Sequence, residues 1–241
     1  MKSNIRTSSR TSMQENAVAD EKSDAGSRTE RAYQRLRTEI LRGELAPGQR
    51  LRAADLDERF GLGLTPIREA LVRLGTEGLV LAESNRGARV RGISSQEFAD
   101  LMKTRRDIER LCLVESIRRG DARWEAEVIA SLHMLAHVPL PDLGGSAAMS
   151  SEWESQHRRF HEALVGACGS EWLLQFWNQL VDHSERYRKI RLHGPLVARN
   201  VQAEHQALLD AALRRDADAL VALMEQHLLG TEQAVNTAMG W

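Results

Sequence analysis

Four histidines in the C-terminal part of this 241-residue chain have the residue type and spacing of a metal site. His157 and His161 stand at i and i+4, so a helix puts both imidazoles on one face, about one turn apart. His205 and His227 fall on two later helical stretches. Neutral imidazoles are good ligands for zinc, nickel and similar ions, and a helical bundle can converge such side chains on its interior. Spacing alone leaves a plainer alternative open, because the chain has eight histidines and scattered ones are usually satisfied in a core or exposed. Glu154 and Glu162 flank the first pair, so a hydrolytic site pairing histidine ligands with a nearby acid or base is a further alternative.

A second chemistry is written at 63–74, Gly-Leu-Thr-Pro-Ile-Arg-Glu-Ala-Leu-Val-Arg-Leu. Thr65 is expected to cap a helix with its hydroxyl, and Pro66 to take the first helical position, where a missing N–H costs nothing. Ile67, Leu71 and Leu74 make an apolar stripe, and Arg68 and Arg73 lie off it. A short, rigidly started helix with outward arginines suits a DNA major groove.

The surrounding elements must hold these groups. Residues 31–41 carry Tyr33, Leu36, Ile40 and Leu41 at helical spacing, and Pro47-Gly48 marks a turn. Residues 51–60 predict a second helix stopped at Gly61, and the Thr65 helix ends near Glu77-Gly78. Two short β-prone runs, 79–82 and 88–90, surround Glu83-Ser84-Asn85-Arg86-Gly87 and predict a hairpin. Three helices and a hairpin make a winged helix-turn-helix, with Arg86 and Arg89 on the wing. From residue 94 onward strand signals nearly vanish. Helices are predicted over 95–119, 124–136, 150–167, 171–192, 196–214 and 217–238, an all-helical antiparallel bundle. The fold class is therefore mainly α. Its domains are a flexible tail at 1–26, a winged domain at 27–92 and a bundle at 95–236.

Composition agrees. Residues 28–92 hold 13 Arg, no Lys and 9 acids, a balance of +4, whereas the whole chain is −1. A basic end beside an acidic remainder fits phosphate contact, and Arg rather than Lys favours bidentate bonds to guanine or phosphate. No apolar run of about 18 residues predicts a membrane span, and the N-terminus lacks a signal-peptide layout. Cys112 and Cys168 are not metal-spaced and are expected as buried free thiols in a reducing cytoplasm.

The front of the chain resembles the DNA-binding domain of the GntR family of bacterial transcription regulators. The matching residues are Gly43-x-Leu45-x-Pro47-Gly48-x-x-Leu51, Thr65-Pro66-x-Arg68-Glu69-Ala70-Leu71, Glu77-Gly78-Leu79 and Asn85-Arg86-Gly87. The resemblance implies that Arg68, Arg86 and Gly87 contact DNA; Arg52, Thr65 and Arg73 complete the candidate DNA-facing set. Leu64 stands where the family usually has Arg, so one expected contact is missing. Residues 95–230 resemble the FCD effector domain of the same family. There Phe160-His161, Glu204-His205 and His227-Leu228 match, as do Arg105 with Glu109 and Ala212-Leu213-x-x-Asp216-Ala217.

That second resemblance implies a pocket shared by His157, His161, His205 and His227, with His157 at a position the family fills with Asp. Four imidazoles leave a divalent ion its full +2 charge, which favours zinc or nickel over magnesium, calcium or manganese and attracts an anion. The alternative is direct contact between the imidazoles and an effector, without metal. Arg105 matches an effector-contacting arginine, and Arg186 and Arg188 add cations on the fourth bundle helix, so a small carboxylate is the expected effector. Gly-Leu-Thr-Pro at 63–66, Trp124-Glu125-Ala126, Ala167-Cys168-Gly169-Ser170 and Arg186-Tyr187-Arg188 are similar to repressors that respond to glutarate or related dicarboxylates. The whole reads as a cytoplasmic, homodimeric, effector-responsive regulator on palindromic double-stranded operator DNA. Catalysis would leave the DNA reader unexplained, and a structural DNA binder would leave the histidines without purpose.

Overall fold

The apolar spacing at Tyr33, Leu36, Ile40 and Leu41 becomes the buried face of α1 (27–41). The computed structural model describes residues 27–83, 87–139, 147–191 and 199–241. Contacts divide the chain into two units, Met1–Gly92 and Ile93–Trp241.

In the first unit β1 (Arg50–Leu51), α2 (Ala53–Phe60), α3 (Leu64–Thr76), β2 (Val80–Glu83) and β3 (Gly87–Val90) follow α1. Leu51, expected at the head of the second helix, lies instead on β1 and pairs with Ala88, while Arg50 pairs with Arg89. The wing is thus an antiparallel three-stranded sheet in the order β1-β3-β2. Its register buries Leu51, Val80, Ala88 and Val90 against the helices. Gly87 sits at φ 91°, where a β-carbon would come within 2.8 Å of the Leu51 carbonyl oxygen. Only glycine fits that crossing.

Thr65 does not cap α3. The helix starts two residues earlier than expected, with Gly63 as N-cap and no side-chain cap bond, so Thr65 and Pro66 are its second and third residues. Pro66 still costs nothing there, because the first four N–H groups of a helix lack intrahelical partners. The turn is fixed from α2: Asp57 Oδ1 accepts from the Gly63 N–H at 2.6 Å.

The second unit is helical among its described residues: α4 (Ser95–Arg119), α5 (Ala122–Ala136), α6 (Ala147–Val165), α7 (Glu171–Arg191), α8 (Val201–Leu213) and α9 (Ala217–Met239). Short polar side chains start them. Ser94 Oγ accepts from the Glu97 N–H at 3.1 Å, Asp121 Oδ1 from Arg123 and Trp124, and Asp216 Oδ1 from Ala219. α8, expected from residue 196, begins at Val201 because Asn200 Oδ1 accepts from the Ala203 N–H. Residues 192–198 lie outside the described ones.

α4 packs on α7 and α9, α5 on α6, and α8 on α9 and α5. Phe98, Met102, Leu113, Phe160 and Trp177 fill the space between them, and Cys112 and Cys168 are buried and free. The bundle also buries Arg105 and Glu109 of α4, Glu154, His157 and His161 of α6, and Ser184 and Arg188 of α7. His205 of α8 and His227 of α9 join them. Burying polar groups is costly unless they are paired or serve a ligand, so this polar interior is where function is sought. No helix among the described residues is long and apolar enough to cross a membrane.

Candidate functional site

His157 and His161 sit one turn apart on α6, as their spacing requires, and α8 and α9 bring His205 and His227 to the same point. Every pair of the four ring centroids lies between 4.5 and 5.9 Å apart. One potential ligand atom from each ring falls within 4.8 Å of all the others. His157 Nε2 and His161 Nε2 are 3.2 Å apart. Two nitrogens on one tetrahedral zinc, each about 2.0–2.1 Å from it, stand roughly 3.3 Å apart, so this donor set fits a transition ion. His161 Nδ1 and His205 Nε2 are buried without a hydrogen-bond partner among the described residues, a costly arrangement that ligation through Nε2 would relieve at His205.

Electrostatics favours the neutral, ligating form. Burial is the first cause that pushes each ring below its usual value, and nearby cations add to it. His157 feels Arg188 next, and His161 feels His227 and His205 and then Arg105. His205 is brought down to about 2 by burial and then by His227. His227 is lowered less freely, because burial is opposed by its bond to Glu204. Trp153 lies face to face with His157 at a centroid distance of 4.5 Å, and Phe160 meets His161 and His205 edge-on.

Of the three arginines expected at the pocket, Arg105 is fully enclosed and held rigidly. Its Nε donates to Glu109 Oε2 at 3.4 Å and its Nη1 to Ser184 Oγ at 2.5 Å. Arg188 is also buried, but its guanidinium forks onto the Glu154 carboxylate and lies near Glu185. Arg186 is buried on α7. Sequence reasoning missed Arg199 and the role of Glu204. Arg199 forks onto Glu204, and Glu204 Oε2 accepts from His227 Nδ1 at 2.8 Å. The Glu-His pair at 204–205 was the available signal for Glu204; Arg199 had none.

In the first unit Arg52, Thr65 and Arg68 are exposed, and among the described residues neither Arg52 nor Arg68 forms an ion pair. Gly87 is exposed at the start of β3, and Arg86 lies outside the described residues. Arg73 is engaged inside the unit. Its Nη1 donates to Glu30 at 2.7 Å and its guanidinium covers the Tyr33 ring at 3.6 Å, so it ties α3 to α1. Arg89 is likewise taken up by Glu83 and the Gly48 carbonyl.

Comparison with known proteins agrees with these two units. The model of bacterial regulatory proteins of the gntR family matches residues 28–90, and the FCD domain model matches 100–230. An HTH-type transcriptional regulator of Paraburkholderia xenovorans, BphR, is 39% identical over 199 residues, 83% of this chain and 81% of its own. The chain belongs to the GntR family. Another relative of this GntR regulator is the HTH-type transcriptional repressor GlaR of Escherichia coli, 37% identical over 86% of the chain and 95% of GlaR. The solved E. coli McbR/YncC shares the fold at a TM-score of 0.70 and 19% identity, covering 86% of this chain and 96% of that one. As a GntR protein with an FCD domain, the chain is a DNA-binding transcription regulator, and these families are regulators rather than enzymes.

Proposed function

We propose that this regulator is a homodimeric repressor released from a palindromic operator by a small dicarboxylate bound at a divalent transition ion. The convergence of four buried imidazoles beside a rigidly held arginine is the observation that carries this reading. His157, His161, His205 and His227 would hold the ion, zinc or nickel by donor type. Bound there, the ion would supply positive charge that draws in a carboxylate and, at a coordination number above four, a position for its oxygen. Arg105 is anchored through Nε and Nη1, and its Nη2 hydrogens make no hydrogen bond among the described residues. They are the natural donors to a second carboxylate oxygen. Imidazoles that stay neutral leave both charges of a dicarboxylate to be met by the ion and by Arg105.

Arg52, Thr65, Arg68, Arg86 and Gly87 would face operator DNA, with Arg68 toward base edges from α3. A two-fold dimer reads a two-fold site, and GlaR, named a repressor, supports that sign of control. The effector must favour one arrangement of the two readers over another; equal affinity for both would change nothing. β3 ends at Val90 and α4 starts at Ser95, so the helix holding Arg105 is the next element in the chain after the wing.

An operator gel shift titrated with dicarboxylates tests the proposal. Release of DNA is expected for the native chain. Arg105→Ala should bind the operator normally but need about 10- to 100-fold more effector, the loss of one or two charge-assisted bonds. Equal loss of both properties contradicts the assignment.

A further inference from the structure

Behind His227 lies a set of contacts that the ion and effector do not explain. Glu204 stands on the first turn of α8, next to His205, yet its carboxylate is turned to α9. Oε2 accepts from His227 Nδ1 at 2.8 Å, and both oxygens are gripped by Arg199. Arg199 is in turn tied to the same turn of α9: its Nη1 donates to Thr231 Oγ1 at 3.1 Å and its Nη2 to the His227 carbonyl at 3.0 Å. The route of this guanidinium crosses Gly230, where a β-carbon would stand 2.8 Å from Arg199 Cζ. A glycine inside a helix costs roughly 1 kcal/mol against alanine, so its presence where an arginine must pass has a structural reason.

We infer that Arg199 and Glu204 are positioning residues that lock His227 in its Nδ1–H tautomer and so hold its Nε2 ready as an ion ligand. The inference rests on the metal reading given above. A ligating imidazole needs one ring nitrogen protonated and oriented elsewhere, and a carboxylate on that hydrogen also makes the other nitrogen a stronger donor. Among the described residues the remaining rings have no such partner: His161 Nδ1 is without one, and no acid is hydrogen-bonded to His157 or His205. Among the described residues, then, His227 is the one of the four whose ring an acid fixes from behind. Arg199 serves Glu204 in two ways. It fixes the carboxylate plane by a two-point fork, and its bond to the His227 carbonyl keeps acid and imidazole in register along α9.

The test uses the full chain, freed of metal by chelation, and titrates Ni(II) against a competing chromophoric chelator. The native protein and Glu204→Gln, Glu204→Ala, Gly230→Ala and His161→Ala variants are compared, with ring ¹H–¹⁵N spectra of each metal-free protein. Native chain should bind one Ni(II) and show His227 as the Nδ1–H tautomer. Glu204→Ala should bind with about 10- to 100-fold lower affinity at unchanged stoichiometry, and its His227 should become a tautomer mixture. Glu204→Gln keeps an acceptor without the charge and should fall between. Gly230→Ala changes neither acid nor imidazole, but by displacing Arg199 it should weaken binding in the same direction. Native binding with Glu204→Ala within twofold and an unmoved His227 tautomer overturns the inference while leaving the metal reading intact. A native chain that binds no better than His161→Ala overturns both.

Discussion

At His157 and His161 the first influence on the ring is loss of water, and the neighbouring cations only deepen it. The same holds at His205, which is taken down to about 2. Once such a chain unfolds, each ring returns to an ordinary value near 6.5 and takes up a proton that the folded form refuses. The unfolded state therefore binds more protons as pH falls through 6.5, so stability is full above that value and is lost below it. The ceiling is about 1.4 kcal/mol per pH unit for each ring. Metal-stripped protein should melt lower at pH 5 than at pH 7.5, and His205→Gln should flatten that dependence; equal melting temperatures would contradict the assignment. The spacing of His157 and His161 made part of this centre legible. Arg199 was not legible, because it acts on a ring 28 positions away with no periodic relation to it.

At the scale of elements, helix starts marked by Ser94, Asp121 and Asp216 follow the ordinary capping chemistry of short polar side chains and could be read directly. The start of α3 could not, because its cap is a glycine held by Asp57 from the preceding helix. Leu51 misled for a related reason: a two-residue strand exists only through its distant partners Ala88 and Arg89. The crossing at Gly87 gives the element-scale prediction. Gly87→Ala forces a side chain into a φ of 91° and against the Leu51 carbonyl. It should lower the stability of the winged unit by about 1–3 kcal/mol and weaken operator binding. Ion binding by the helical unit should be untouched, which separate denaturation and Ni(II) titrations would check.

For the whole molecule, the division into a basic reader and an acidic helical remainder was visible in charge and periodicity alone. The candidate site was not, since it takes side chains from α4, α6, α7, α8 and α9 meeting at one place. If an ion links α6, α8 and α9, its removal should be felt globally. At 100 times its dissociation constant a ligand stabilises a fold by about 2.7 kcal/mol, and chains of this size shift roughly 2–4 °C per kcal/mol. Chelation should thus lower the melting temperature by about 5–10 °C, restored by zinc or nickel but not by magnesium; no shift would count against the ion.

The stack of Trp153 on His157 has a practical consequence. If the His157 ring coordinates an ion, the indole stacked on it is an optical sensor built into the pocket. Nickel or copper arriving there should quench its emission by energy and electron transfer, and zinc, with its filled d shell, should alter it far less. Trp153→Phe removes that signal while four other tryptophans remain as an internal reference, so occupancy of the chamber can be followed in real time without a label.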